Sequence, residues 1–482
     1  MSRPALVRYA GLAGSLLLAV AAWLGGASRP WQPTITPLTV FRGQNGVVLP
    51  LAWLAGTVLL IGAWWAGRRH VPSARWAYVT AGLWMAPLLP FLPLGSYDVY
   101  SYACQGWQQG AGLDPYAGGV GLLGCPWADA VAPTWRASPA PYGPVFLLLA
   151  AFAAKIGHSL PGTVAVLRVI ALLGVALIAV CVPRLARRAG VPVERAVWLA
   201  LACPLVPIHL VSGAHNDAVM VGFLVAGLAL AAHTRTAPEP RLAPAPISTQ
   251  ALAAGVLFGL AIGVKATAVV VVPFALLMVW PGRRWRAVVP MVAGVVLALL
   301  AVSLVSGRGL GWITNLSGSG VSVQWTSPAT AVGLVFKLFG VNAVPVTRVI
   351  GIVLLAGVLV WLWWRARFAD PLRYAAYALA ATVVLAPVFH PWYAVWALVP
   401  LAATVRRETL WLVVPCAVAA ALCLPDGYNL ALPTRAPGAV AMTVVLIYFG
   451  IRYLKATHEA KSPHPVAAGD PHLGDRLPRR DP

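Results

Sequence analysis

Acid is scarce in this chain: 482 residues hold thirteen Asp and Glu against 35 Lys and Arg, and only 10% of the chain is charged. Apolar residues make up 60%, and the mean hydropathy is +0.79. A soluble globular domain is thereby excluded, and the composition is that of a polytopic membrane protein with no separate soluble domain. No D-x-D occurs, so the paired acids that hold a metal-bound nucleotide sugar are missing. H-E-x-x-H, C-x-x-C and G-x-S-x-G are absent too, which removes the usual support for metalloprotease, zinc and serine-hydrolase readings. The stretch GLAIGVKAT around Lys265 lacks the G-x-x-x-x-G-K-[ST] spacing of a phosphate loop. No repeat of fixed period stands out, which disfavours transporters built from duplicated halves. Nothing in this set calls for a metal or a cofactor.

The formal charge of +22 does not imply nucleic acid. Most of the cations fall in short loops on one side of the topology that the apolar runs suggest, which is the positive-inside pattern and an attraction to anionic membrane lipid. MSRPALVRY and the apolar run to Gly26 read as a first span rather than a signal peptide. Runs of about 20 residues, enough for a hydrocarbon core of about 30 Å, follow at 47–66, 76–94 and 163–183. Hydrophobic segments at 195–211 and 218–233 form a hairpin around SGAHNDA. The 30-residue run 251–280 is broken by Lys265 into two short helices, and spans follow at 287–306, 344–364, 373–389, 392–404, 409–424 and 437–453. The total is about fourteen, in one all-α domain over 1–453 with both termini cytoplasmic. Shallow helices are expected at 144–158 and 330–339. A disordered, basic cytoplasmic tail is expected over 454–482.

The longest polar interruption, 95–142, is the expected extracytoplasmic catalytic loop, and 307–328 is a second outer loop. Asp98 directly follows an apolar run, and a carboxylate at a membrane face is costly enough to need a reason. It reads as a general base, able to take the proton of an alcohol that attacks an activated carbon. On the outer face the leaving group is expected to be a polyprenyl phosphate, with Lys265, Arg168 and Arg348 stabilising it. Tyr97, Tyr100, Tyr102, Gln105, Trp107, Asp114, Tyr116, His215, Asn216, Asp217, Trp325, His390 and Trp392 are expected to contact sugar or acceptor. Cys104 and Cys125 are the only two cysteines that this topology exposes together on the oxidising side, and a disulfide between them is expected.

Structural readings compete at each position. Asp98 could cap a helix, Asp114 is a natural turn former before Pro115, the tyrosines could be an interfacial belt, and Lys265 could snorkel. DVYSYACQG, GLDPY and TWRASPAPYGPVF in the first loop, with GAHNDA, VKATA, WTSPAT and HPWYAVWALVP later, resemble the actinobacterial polyprenol-phosphomannose-dependent α-(1→6)-mannosyltransferases. The resemblance runs from about 76 to 405. It implies a GT-C-type helical bundle in the plasma membrane and a decaprenyl-phosphate mannose donor. It also implies inversion at the anomeric carbon, a mannan or phosphatidylinositol-mannoside acceptor in lipomannan and lipoarabinomannan assembly, and a catalytic Asp at the position of Asp98. A transporter or a flippase for lipid-linked sugar is the alternative function that composition alone allows.

Overall fold

The computed structural model describes residues 2–31, 46–233, 247–280, 284–316, 322–406 and 410–459. Among them the chain is helical, and the one β pairing is an isolated bridge between Cys423 and Asn429. The first ten helices are α1 (Arg3–Gly25), α2 (Val48–Gly67), α3 (Ala74–Met85), α4 (Asp98–Gly110), α5 (Val120–Leu123), α6 (Pro133–Ala137), α7 (Pro144–Gly157), α8 (Leu160–Ala189), α9 (Val193–Leu201) and α10 (Asp217–His233). There follow α11 (Ile247–Val264), α12 (Val272–Val279), α13 (Arg284–Ser306), α14 (Gly311–Thr314), α15 (Pro328–Leu338), α16 (Val344–Ala366), α17 (Pro371–Leu385), α18 (Ala394–Thr404), α19 (Leu410–Ala421) and α20 (Arg435–Glu459).

Among the described residues, six helices are long and apolar enough to cross a membrane: α1, α2, α8, α13, α16 and α20. A seventh arises if α9 and the π-helical turn Val206–Ser212, bent by 61°, count as one span. The chain is thus a membrane protein, although other segments expected to span, such as α10, α11, α17 and α19, are shorter apolar helices that fall short of that test. The helix α20 runs to Glu459, past the point where a disordered tail was expected, and 460–482 lie outside the described residues. So do 234–246 and, within the expected second outer loop, 317–321.

Three breaks in the helices shape the site. The expected span 76–94 is helical only to Met85, with a 3-10 turn at Ala86–Leu88 and irregular backbone beyond. Pro87, Pro90 and Pro93 explain this, since each removes a backbone donor and cannot sit inside a continuing helix. Pro204 similarly interrupts the chain between α9 and the π-helical turn, whose second residue is Pro207. Lys265 separates α11 from the 3-10 turn Ala266–Val271 in an extended conformation, as the sequence pattern suggests.

Small residues let the interior helices touch through their backbones. A Cβ on Gly174 of α8 would lie 2.5 Å from the carbonyl of Ala218 in α10, and one on Gly255 of α11 would lie 2.0 Å from the Met291 carbonyl of α13. Close backbone approach of this kind supplies the dispersion contacts that hold helices together in lipid. The helix α18 is buried along its whole length, whereas α16 and α20 expose Val353, Val360, Ile447 and Phe449. The bundle therefore buries α18, which follows the polar HPWY turn, and presents α16 and α20 outward.

Candidate active site

Asp98 occupies the first turn of α4, where a carboxylate interacts favourably with the positive end of the helix. Its backbone N–H donates to Ser96 Oγ at 3.0 Å. Its Oδ1 accepts the Trp135 indole N–H at 2.9 Å, and its Oδ2 lies 3.9 Å from His215 Nδ1. Burial pushes the carboxyl up to about 6, against the Trp135 hydrogen bond and the charge of Lys265. A base with that value is ionised at neutral pH and still able to hold a proton.

The loop beyond α4 is tied down at several points. Cys104 and Cys125 are joined by a disulfide with their Cα atoms 5.5 Å apart. Arg136 donates to the carbonyls of Val131 and Asp129, each at 2.7 Å, and the Asp129 carboxylate pairs with Arg29 at 2.7 Å. The short α6, which carries Trp135, is held against the rest of the loop by these contacts.

Asp98 lines a cavity of about 470 Å³. Trp31, Tyr97, Trp135, His390 and Trp392 contribute aromatic walls, and Gln324, Asp426, Tyr428 and Asn429 close the far side. Asn429 Nδ2 donates to Gln324 Oε1 at 3.0 Å, and Gln324 Nε2 donates to Ser322 Oγ at 2.9 Å. Aromatic faces, amides and carboxylates around a concave space suit a polyhydroxylated ring, whose C–H faces stack and whose hydroxyls need donors and acceptors. Burial and the charge of Lys265 push His390 down to about 4, so it meets the cavity as a neutral imidazole.

Behind the cavity His215 stacks on Trp392 with ring centroids 4.0 Å apart, and Trp392 stacks on His390 at 4.9 Å. Tyr102 Oη lies 3.2 Å from His215 Nδ1. His215 is also 3.9 Å from a carboxylate oxygen of Asp217, but burial holds the ring well below its usual range, so neither approach to a carboxylate is an ion pair. Asp217 accepts from Lys265 Nζ at 2.8 Å and from the Trp396 indole. Lys265 Nζ sits over Tyr393 at 4.6 Å and over Trp396 at 5.0 Å. The ammonium is therefore matched by a carboxylate and two ring faces.

The expected site residues divide between this region and elsewhere. Asp98, Tyr97, His390 and Trp392 line the cavity, and Tyr102, His215, Asp217 and Lys265 stand behind it. Asn216 and Gln105 are buried beside them, with side chains that have no hydrogen-bond partner among the described residues. Arg168 instead donates to the carbonyls of Leu89 and Phe91 in the proline-broken segment and of Ser212 at the end of the π-helical turn. Arg348 holds Thr330 and the Ser322 carbonyl. Neither arginine lines the cavity, since both answer backbone or hydroxyl groups nearby. Tyr100 donates to the Ala27 carbonyl and faces a separate groove with Arg168. Asp114 accepts from the Tyr116 backbone N–H at 3.0 Å, the bond of a turn, and Tyr116 donates to the Tyr142 carbonyl. Trp107 packs at the edge of the core, and Trp325 donates to Thr434, away from the cavity. Trp31, Trp135, Gln324, Asp426, Tyr428 and Asn429 were not among the expected contacts. Asp426 bears the signal that marked Asp98, an acid just past an apolar run, but here it sits beside a turn-forming Gly427.

A bundle of apolar helices around a carboxylate-lined cavity suits a membrane protein that handles a polyhydroxylated ligand, and comparison with known proteins supplies the class, a glycosyltransferase. Residues 8–281 match the family model described as alpha-(1->6)-mannopyranosyltransferase, N-terminal domain, and 326–452 match the MptB C-terminal domain. The chain is 35% identical to alpha-(1->6)-mannopyranosyltransferase A of Mycobacterium tuberculosis over 80% of its own length and 78% of that protein. It is 33% identical to alpha-(1->6)-mannopyranosyltransferase B of Corynebacterium glutamicum over 93% of its own length and 80% of that protein. No solved structure matches. The chain belongs to the α-(1→6)-mannopyranosyltransferase family. Its cavity takes side chains from both matched regions, Asp98 and Trp135 from the first and His390, Trp392 and Asn429 from the second.

Proposed function

We propose that this protein is a GT-C-type inverting transferase that moves mannose from a polyprenyl-phosphate donor to O6 of an α-(1→6)-mannan or phosphatidylinositol-mannoside acceptor. The observation that carries the reading is Asp98, a buried carboxylate raised to about 6 in the wall of an aromatic- and amide-lined cavity. The acceptor 6-hydroxyl attacks C1 of the mannose from the side opposite the phosphate. As the new C1–O bond forms, Asp98 takes the hydroxyl proton, and the old C1–O bond breaks with its electron pair leaving on the polyprenyl phosphate. Inversion to an α product requires a β-linked donor.

Lys265 is the cation best placed to act on the donor side, because its charge already reaches both Asp98 and His390. The neutral His390 can donate a hydrogen bond to the phosphate without adding charge. The shorter apolar helices complete about fourteen crossings of the plasma membrane, with both termini cytoplasmic and the cavity on the extracytoplasmic face. No metal or cofactor takes part, since the leaving group carries one phosphate. Incubation of purified protein with polyprenyl-phosphate mannose, an α-(1→6)-mannobioside and a chelator should yield the trisaccharide. Activity lost to the chelator and restored by magnesium or manganese would contradict the metal-free step.

A further inference from the structure

Trp135 belongs to none of the groups that the transfer step uses, yet it donates a hydrogen bond directly to the carboxylate of the proposed base. It sits on the five-residue helix α6, 37 positions after Asp98, and its indole N–H meets Oδ1 at 2.9 Å. The same side chain lines the cavity that Asp98 lines. Its position is over-determined for a loop residue. Arg136 ties α6 to the Val131 and Asp129 carbonyls, Arg29 ties Asp129 to the segment after α1, and the Trp31 backbone N–H donates to the Asp129 carbonyl at 2.7 Å. The start of α5 packs on this strap without side chains, because a Cβ on Gly119 would lie 2.4 Å from the Arg136 carbonyl. The disulfide ties the stretch before α6 back to α4, six residues after Asp98. Strap and base are one unit.

We propose that Trp135 is the positioning residue of the transfer: its indole N–H fixes Oδ1 of Asp98 so that Oδ2 takes the acceptor proton, and its ring is part of the wall against which the acceptor rests. The inference rests on Asp98 being the base. A carboxylate attached to a helix through the Cα–Cβ and Cβ–Cγ bonds can turn either oxygen to the cavity, and a hydrogen bond to one oxygen restricts that freedom. Held this way, the lone pair on Oδ2 is aligned before the acceptor arrives, the pre-organisation on which proton transfer depends. The N–H also stabilises the charged form of the carboxyl, opposing burial.

The other groups facing Asp98 have to be held constant in any test. They are His215 and Asp217 around the turn before α10, Lys265 after α11, His390 and Tyr393 before α18, Cys423, Asp426 and Tyr428 in the cavity wall after α19, Ser96 and Tyr97 just before α4, Tyr102 on α4 itself and Tyr142 before α7. A change at Trp135 alone leaves all of them in place.

The test compares Trp135→Phe and Trp135→Ala with the intact protein, using polyprenyl-phosphate mannose and an α-(1→6)-mannobioside in detergent. Both variants lack the N–H, so the acidic limb of kcat/KM should move up by about one pH unit and kcat should fall about tenfold. The Ala variant alone loses the wall, and its KM for the mannobioside should rise while that for the donor does not. Trp135 is half-buried in an outer strap, and a Phe variant that is not recovered folded still leaves the Ala variant to report the limb. An acidic limb unmoved in either folded variant would overturn the positioning role. Asp98→Asn, run beside them, separates the two claims: an active Asp98→Asn removes the base itself, whereas an inactive one with an unmoved limb in the Trp135 variants removes only the present inference.

Discussion

Asp98 is held in a state that its own burial disfavours. A carboxyl raised to about 6 binds a proton more tightly in the folded chain than in the unfolded one. Between about pH 4 and pH 6 the folded state therefore carries the extra proton, and stability falls as pH rises through that window, by up to about 3 kcal/mol for a shift of this size. The cost is present at neutral pH, where a base must be ionised. Asp98→Asn keeps an oxygen to accept from Trp135 and removes the buried charge. It should raise Tm at pH 7.5 while lowering mannosyl transfer by ~100-fold or more, the scale of a positioned base. A variant that is less stable and still fully active would show that the carboxylate is structural. In the intact protein kcat/KM should fall tenfold per unit below about pH 6 and level off above it. A profile flat from pH 5 to pH 8 would leave the proton without its acceptor.

Among the elements, the pairing of Lys265 with Asp217 shows what pattern can and cannot say. A lone cation in a 30-residue apolar run marks a break, and α11 does end there. That its partner would be Asp217, 48 positions away, under a Trp396 indole from α18, is a matter of helix packing. Lys265→Met leaves Asp217 buried without its counter-charge and should destabilise the fold by about 3–5 kcal/mol. Adding Asp217→Asn should restore most of that, so that any remaining loss of donor turnover in the double variant belongs to the cation. A double variant with normal turnover would make Lys265 an internal tie. Arg168 and Arg348 were further candidates behind Lys265, and no pattern records that carbonyls of a proline-broken segment and of the 322 loop would occupy them. The disulfide between Cys104 and Cys125 closes a 21-residue separation and should stabilise its loop by ~3 kcal/mol. Reduction should therefore lower Tm and weaken acceptor use before donor use, and equal Tm with and without reductant would show that the loop holds itself.

For the whole molecule, the apolar runs disclosed an all-helical membrane protein, and the long helices α1, α2, α8, α13, α16 and α20 lie where those runs are. Sequence periodicity could not show that 86–97 would leave the helix, because three prolines inside an apolar run look like core until their missing donors are counted. One wall of the cavity was readable from DVYSY and HPWY. The other was readable only at Gln324, in the expected second outer loop: Asp426 and Asn429 lie in an ordinary-looking turn, more than 320 positions from Asp98, and only folding brings them to it. The account turns on that assembled cavity transferring a sugar with Asp98 as base. Its most direct test is mass detection of elongated product from purified protein, polyprenyl-phosphate mannose and an α-(1→6)-mannobioside, with the intact chain and Asp98→Asn side by side. One mannose added by the intact chain, at a rate ~100-fold or more above that of the variant, is the predicted result, and equal elongation by both would contradict it.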